Sequence, residues 1–199
     1  MLVDGGFILK RLRSRLGRPA QAADILVECD RINRSSLLLD STLLRILFYD
    51  APPAVGTITN PFDGRSVNLA RTPQHERGIT LHKTLELMPD IALRLGETVV
   101  RGWQIDSDGV QTLARTRRPA TTGDVRPVIE QKGVDLRIGL DIARLSLKQL
   151  VDVIVVVTGD RDLVPAFRFA RREGLRVYLD HLGAAFVHRD LITHSDRVL

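Results

Sequence analysis

The chain has 199 residues, 44% of them hydrophobic, which predicts a folded domain with a full core rather than a disordered segment. Its net charge of +5 favours a polyanionic partner, and its single cysteine, Cys29, excludes an intramolecular disulfide or a cysteine-based zinc site. A lone cysteine is typical of a small buried side chain in a reducing compartment, and no apolar run approaches the ~20 residues of a membrane span. We therefore expect a cytoplasmic protein that does not enter a membrane.

The first fifty residues predict two strands with two helices between them. A short strand at 2–3 is followed by a helix with leucines on one face, which ends at Gly17. A second helical pattern covers about 20–33. The next apolar run, 43–49, is a strand candidate that ends at two prolines.

The middle of the chain carries weaker patterns. Residues 57–68 are polar and turn-rich, and 74–95 are predicted as a helix that Pro89 kinks. A strand follows at 98–105, and 113–122 is predicted as an exposed basic loop or ribbon. We interpret 51–126 as an elaboration of a single domain that spans 1–199.

The last third alternates between strands and helices. The expected strands are 128–130, 153–157 and 175–179, and the expected helices are 134–147 and 163–172. Uniformly apolar strands separated by helices indicate a parallel sheet that is covered on both faces. The fold class is therefore α/β.

Several aspartates are expected at one edge of this sheet. Asp4 ends the first strand, Asp160 and Asp162 follow the 153–157 strand, and Asp135 begins a helix after the 128–130 strand. In parallel α/β sheets, ligands bind beyond the carboxyl ends of the strands. Carboxylates that meet there repel one another, and a hard divalent cation such as Mg²⁺ relieves the repulsion.

Each of these acids also has a local explanation. An aspartate at the start of a helix caps it or complements its positive end. For a single acid both interpretations stay open, and only the shared edge favours a metal. Asp141 is a weaker candidate, because six residues after Asp135 it lies about 240° around the helix.

Three segments carry a resemblance to a known family: Val3-Asp4-Gly5-Gly6-Phe7, Lys132-Gly133-Val134-Asp135 with Asp141 after it, and the run from Val157 to Pro165, VTGDRDLVP. With these, the chain resembles the NYN family of the PIN-like nuclease superfamily. The resemblance implies a PIN-like three-layer α/β/α sandwich with a central, mainly parallel sheet. It also implies a phosphodiesterase site that uses Mg²⁺ or Mn²⁺, most often on RNA.

Carried over by position, the resemblance assigns catalytic and metal-binding roles to Asp4, Asp135, Asp160 and Asp162. Asp141 is a less certain metal ligand. One position departs from the family, because Phe7 stands where many members have asparagine. An apolar side chain there cannot orient water or phosphate.

Basic clusters are the expected grip on nucleic acid, although a solvated surface is the ordinary explanation for any one of them. Because aromatic residues are only 5% of the chain, we expect binding to the phosphate backbone with weak sequence preference. The candidates are Lys10, Arg11, Arg15, Arg18, Arg115, Arg117, Arg118 and Lys132.

The sequence thus predicts a metal-dependent ribonuclease, a hydrolase of phosphodiester bonds in RNA or other single-stranded nucleic acid. The alternative, which Phe7 favours, is a regulatory RNA-binding or protein-interaction module with weak or no catalysis. A metal-dependent phosphatase for small esters would leave the basic clusters unexplained. No G-x-S-x-G, P-loop or G-x-G-x-x-G motif occurs. The oligomeric state stays open, and a homo-oligomer is compatible with the sequence.

Overall fold

The computed structural model describes all of residues 1–199 and divides them into two compact units. The elaboration predicted at 51–126 overlaps most of the second unit, which consists of 51–80 and 97–132. Residues 81–96 of that predicted segment lie in the first unit instead. No helix has the length and apolar character needed to cross a membrane. The first unit consists of Met1–Asp50, Leu81–Gly96 and Gly133–Leu199, and the second of Ala51–Thr80 and Glu97–Lys132.

Strands and helices alternate along most of the chain. In chain order they are β1 (Leu2–Asp4), α1 (Gly5–Leu16), α2 (Ala22–Asn33), β2 (Ile46–Asp50), β3 (Thr57–Thr59), β4 (Ser66–Asn68), α3 (Pro73–Glu86), β5 (Ile91–Leu95), β6 (Glu97–Gln104), α4 (Ser107–Thr116), β7 (Arg126–Lys132), α5 (Val134–Leu147), β8 (Val153–Val157), α6 (Val164–Arg172), β9 (Arg176–Asp180), α7 (Arg189–Thr193) and β10 (Arg197–Val198).

The first unit is built on a six-stranded sheet in the order β10-β9-β8-β1-β2-β5, in which all neighbouring strands are parallel. The chain moves outward from β1 through β2 to β5, then returns to β8 and moves the other way. The strand order therefore reverses between β1 and β8. Such a switch point is where open parallel sheets bind ligands, beyond the carboxyl ends of their strands.

Helices cover both faces of this sheet. Because side chains alternate along a strand, Val3, Phe48 and Val155 face a core that includes Ile8 of α1 and Ile25 of α2. Each such buried side chain stabilises the fold by about 1.5–3 kcal/mol. On the other face, α5 packs on β1, β2 and β5, and α6 packs on β9. The predicted α/β/α sandwich with a central parallel sheet is confirmed.

The junction between β1 and α1 is unusually close. A Cβ atom at Gly5 would collide with the carbonyl oxygen of Tyr49 in β2. Only glycine allows this approach, so α1 starts directly where β1 ends. The junction fixes the position of Asp4, the last residue of β1.

The second unit contains two antiparallel pairs. β3 pairs with β4 within the segment predicted as turn-rich, and β6 pairs with β7 across an irregularity between Val100 and Gly102. The basic loop predicted at 113–122 is wrong in its first part, because α4 extends to Thr116. Asp106 caps this helix by accepting a hydrogen bond from the backbone N–H of Gly109 (2.8 Å).

Two further predictions are wrong in part: the extent of one helix and the sheet to which one strand belongs. The helix predicted at 74–95 ends at Glu86, and Ile91–Leu95 form β5, which pairs with β2. Pro89 cannot continue the helix, and Asp90, with φ of 61°, lies in the turn that leads into β5. The strand at 128–130 is part of β7, which does not join the parallel sheet. Asp135 therefore does not follow a strand of the parallel sheet, as we had expected, although it does lie in the first turn of α5.

Candidate acidic site at the sheet edge

Asp4 is held at the carboxyl end of β1 by two hydrogen bonds. Its Oδ1 accepts from the backbone N–H of Phe7 (3.0 Å), which caps α1, and its Oδ2 accepts from the Thr158 hydroxyl (3.0 Å). Burial raises the pKa of Asp4, and these hydrogen bonds oppose the rise. The negative charges of Asp135 and Asp160 raise the pKa further.

Thr158 joins the ends of the two strands at the switch point. It is fully buried directly after β8, and its hydroxyl also accepts from the backbone N–H of Asp160 (3.0 Å). Asp160 in turn accepts from the backbone N–H of Asp162 (2.9 Å), which turns the chain into α6. One hydroxyl group therefore connects the aspartate of β1 to the acidic turn after β8.

Asp135 and Asp162 have no comparable partners, because neither carboxylate forms a hydrogen bond or an ion pair. Loss of solvation raises the pKa of Asp135 most, and the charges of Asp160 and Asp162 raise it further. Local capping thus accounts for one oxygen each of Asp4 and Asp160. It does not account for Asp135, whose helix has Gly133 at its N-terminal cap.

The charges of Asp4, Asp135, Asp160 and Asp162 therefore act on one another, although the residues come from three separate segments. No group of three or more His, Cys, Asp or Glu side chains is arranged so that it could hold a metal ion. The donor chemistry nevertheless fits a hard divalent cation. Mg²⁺ commonly takes only one or two carboxylates, with waters and substrate phosphate as its other ligands.

Phe7 packs across the acidic turn. A Cβ atom at Gly159 would lie 2.5 Å from Cε2 and 3.0 Å from Cδ2 of the Phe7 ring. The ring thus lies directly on the glycine backbone, in contact with the core cluster. Phe7 supports the loop that carries Asp160, a role that the sequence did not reveal.

Asp141 is engaged elsewhere on α5. It accepts hydrogen bonds from the hydroxyl of Tyr49 (2.9 Å) and from Nε of Arg94 (3.2 Å). Burial and the charge of Asp141 raise the pKa of Tyr49, which keeps its hydroxyl protonated as the donor. These contacts do not support Asp141 as an outer metal ligand, a role that stays a prediction.

A further acid at the same edge was missed by the sequence interpretation. Asp50 ends β2, and its carboxylate lies 2.8 Å from Nε2 of His82, with both residues buried. His82 belongs to α3. Because Asp50 has this buried partner, it is less available as a ligand than Asp135 or Asp162.

Ion pairs occupy several of the residues predicted to bind nucleic acid. In the first unit, Arg15 pairs with Glu28 and Arg18 pairs with Asp24, while Arg11 donates to the carbonyl oxygen of Gly183 (2.8 Å). Lys10 is exposed and forms no ion pair.

Ion pairs also occupy two of the four predicted nucleic-acid-binding residues in the second unit. Arg118 pairs with Asp124 (2.6 Å) and Lys132 with Glu130 (2.8 Å). Arg115 and Arg117 are exposed and unpaired. The contribution of all eight residues to nucleic-acid binding stays a prediction.

The parallel sheet flanked by helices is consistent with the PIN-like α/β/α fold. The model of the NYN domain family matches residues 101–198, a range that includes Asp135, Asp160 and Asp162 but not Asp4. The match confirms the family that the sequence motifs predicted, and NYN domains are generally nucleases. PIN-like nuclease domains usually use divalent metals. No curated protein and no solved structure matches the chain.

Proposed function

We propose that this protein is a metal-dependent ribonuclease whose site consists of Asp4, Asp135, Asp160 and Asp162. The observation that supports the proposal is geometric: the Thr158 hydroxyl joins Asp4, at the carboxyl end of β1, to the Asp160 turn after the neighbouring strand β8. Burial raises the pKa of Asp4 and of Asp135, and the charges of the neighbouring aspartates raise both further. Acids are costly to collect at one edge unless a cation offsets their charge. Asp135 and Asp162 supply the unpaired oxygen atoms, so they are the first candidates for ligands.

Mg²⁺ or Mn²⁺ at this edge would polarise the phosphoryl group and lower the pKa of an attacking water. The chain's own residues position the site. Thr158 orients Asp4 with its hydroxyl, the Phe7 ring supports the turn at Gly159, and the backbone N–H of Asp162 fixes Asp160. RNA is the substrate that the family resemblance implies.

The test is cleavage of labelled single-stranded and structured RNA with Mg²⁺, with Mn²⁺ and with a chelator. Asp160→Asn should lose activity because it removes a charge from the site. A matched control is Asp152→Asn, which makes the same change at an exposed position just before the other end of β8. Equal cleavage by Asp160→Asn and the unaltered protein would exclude the proposed site.

A second candidate is a regulatory RNA-binding module with weak or no catalysis. Phe7 favours it, because its ring is committed to packing on Gly159 and offers no polar atom to water or phosphate. A protein of this kind would bind RNA but show neither cleavage nor a change in thermal unfolding when Mn²⁺ is added. Cleavage that requires metal and Asp160 would exclude it.

A further inference from the structure

Four arginines and one aspartate line a concave surface at the end of α6, in a region that the sequence patterns did not single out. An open cavity of about 480 Å³ is formed there by the end of α6, the start of β9 and the segment before β10. We call this surface the α6 patch. Its charged and titratable lining residues are Arg168, Arg171, Arg172, Arg176, His194 and Asp196.

Only one arginine of the α6 patch is neutralised. Arg171 pairs with Asp196 (3.0 Å), whose other oxygen accepts from the backbone N–H of Val177 (2.8 Å). The other arginines, at positions 168, 172 and 176, are exposed and form no ion pair. In α1, by contrast, Arg15 and Arg18 are both paired with acids.

Helix capping explains only part of this arrangement. Cations in the last turn complement the negative end of a helix, which accounts for Arg171 and Arg172. It does not account for Arg168, which lies a turn earlier, or for Arg176, which is in β9. Guanidinium groups that converge on one cavity repel each other unless an anion lies between them, and their planar forks match phosphate oxygens.

We propose that the α6 patch binds the phosphate backbone of the RNA strand on which the acidic site acts, an inference that rests on the proposed function. The acidic turn and the patch are the two ends of one helix. From Asp162 to Arg172 the chain rises about 15 Å at 1.5 Å per residue. At about 3.4 Å per stacked nucleotide, this separation corresponds to roughly four to five nucleotides.

The experiment measures binding without catalysis. Binding is followed by the fluorescence anisotropy of a labelled single-stranded RNA. An RNA of about twelve nucleotides is long enough to span the separation between the acidic turn and the α6 patch. The anisotropy is recorded across salt concentrations in the presence of a chelator. Arg168→Gln/Arg172→Gln is compared with Lys83→Gln/Lys148→Gln, which removes the same charge from exposed positions without an ion pair at the ends of α3 and α5. Thermal unfolding checks that both double variants fold.

The expected result is a smaller salt dependence for Arg168→Gln/Arg172→Gln. Each phosphate contact on a single strand contributes about 0.7 to the slope of log K against log salt, so two lost contacts reduce the slope by about 1.4. At about 0.1 M salt this corresponds to a roughly 25-fold loss of affinity. The control variant should retain most of the slope and affinity.

Equal slopes for the two double variants would overturn the proposal. It would also be overturned if the α6 variant lost binding to vesicles of anionic lipid while its RNA affinity was unchanged. Binding is measured in a chelator and so does not depend on cleavage. If the α6 variant showed a reduced salt slope but the unaltered protein showed no nuclease activity with metal, the ribonuclease proposal alone would be contradicted. Metal-dependent cleavage with an unchanged KM for long RNA in the α6 variant would contradict the patch alone.

Discussion

At the residue scale, Thr158 is the best-defined link within the acidic site. Its hydroxyl donates to Asp4 and accepts from the backbone N–H of Asp160, both at 3.0 Å. The sequence indicated the acids because they follow a predicted strand, but it did not indicate the hydrogen bonds of Thr158. The hydrogen bonds depend on the register between β1 and β8, in which Val3 lies beside Val157, and no local pattern specifies that register.

Thr158→Val should therefore lower both stability and activity. The substitution keeps the branched shape but leaves an oxygen of Asp4 and the N–H of Asp160 without partners, at a cost of about 1–3 kcal/mol for each group that stays buried. In the unaltered protein the hydrogen bond from Thr158 lowers the pKa of Asp4. The variant lacks this bond, so the pKa of Asp4 should rise further. Denaturant unfolding and RNA cleavage measure the two effects.

Thr158→Ser is the matched control, since it keeps the hydroxyl and removes a methyl group. It should retain the pH profile of cleavage and lose only packing energy. If valine and serine at this position gave the same activity and the same unfolding midpoint, the hydroxyl would have no role in positioning Asp4.

At the scale of secondary structure, the predictions succeeded where a local pattern and the tertiary environment agree. The strands β1, β8 and β9 and the helices α1, α5 and α6 follow from their apolar patterns. β5 did not, because the run Ile-Ala-Leu-Arg-Leu suits a helix as well as a strand. Its pairing with β2 decides the outcome, and pairing partners are not visible in a single short segment.

The contact between Phe7 of α1 and Gly159 after β8 predicts a coupling between two elements. Gly159→Ala should be destabilising, because its Cβ would lie 2.5 Å from the Phe7 ring. Phe7→Ala should cost stability on its own through lost packing. In the double variant the methyl group enters the space that the ring has left, so the two losses should not add.

Denaturant unfolding of the two single variants and the double variant gives the coupling free energy. Contacting residues typically show a coupling of about 0.5–3 kcal/mol, and here the double variant should be more stable than the sum of the single losses predicts. Additive losses would mean that the ring does not restrict the glycine. Gly174→Ala is unsuitable as a control because its φ of 90° adds backbone strain; Gly139→Ala, in open space, is suitable.

At the scale of the whole molecule, the sequence indicated a basic protein but not which charges are free. The pairing of Arg15 with Glu28 and of Arg18 with Asp24 depends on how α1 lies beside the residues of α2. The division of the middle segment into parts of two compact units also depends on distant contacts. Net charge therefore predicted a class of partner, whereas the location of unpaired charge required the structure.

The acidic site should make the stability of the whole protein depend on pH and on metal. The pKa of Asp135 is raised in the folded protein, so the folded state binds its proton more readily than the unfolded state does. Its contribution to stability is consequently present at low pH and is lost as the pH rises from the ordinary aspartate pKa of 3.8 through the raised value. At pH above that window, Asp135→Asn should have a higher Tm than the unaltered protein, and the difference should disappear in acid.

A divalent cation that binds only the folded state should restore the same stability by offsetting the repulsion. At a Mn²⁺ concentration about 100 times its Kd, the expected gain is about 2.7 kcal/mol. Thermal unfolding with and without Mn²⁺ should show this gain in the unaltered protein and in Asp152→Asn, and a smaller gain in Asp135→Asn. A lower Tm for Asp135→Asn without metal would mean that its carboxylate already has a favourable partner. Since the burial and mutual repulsion of unpartnered acids are the reason to expect a cation, that result would remove the physical basis of the metal site.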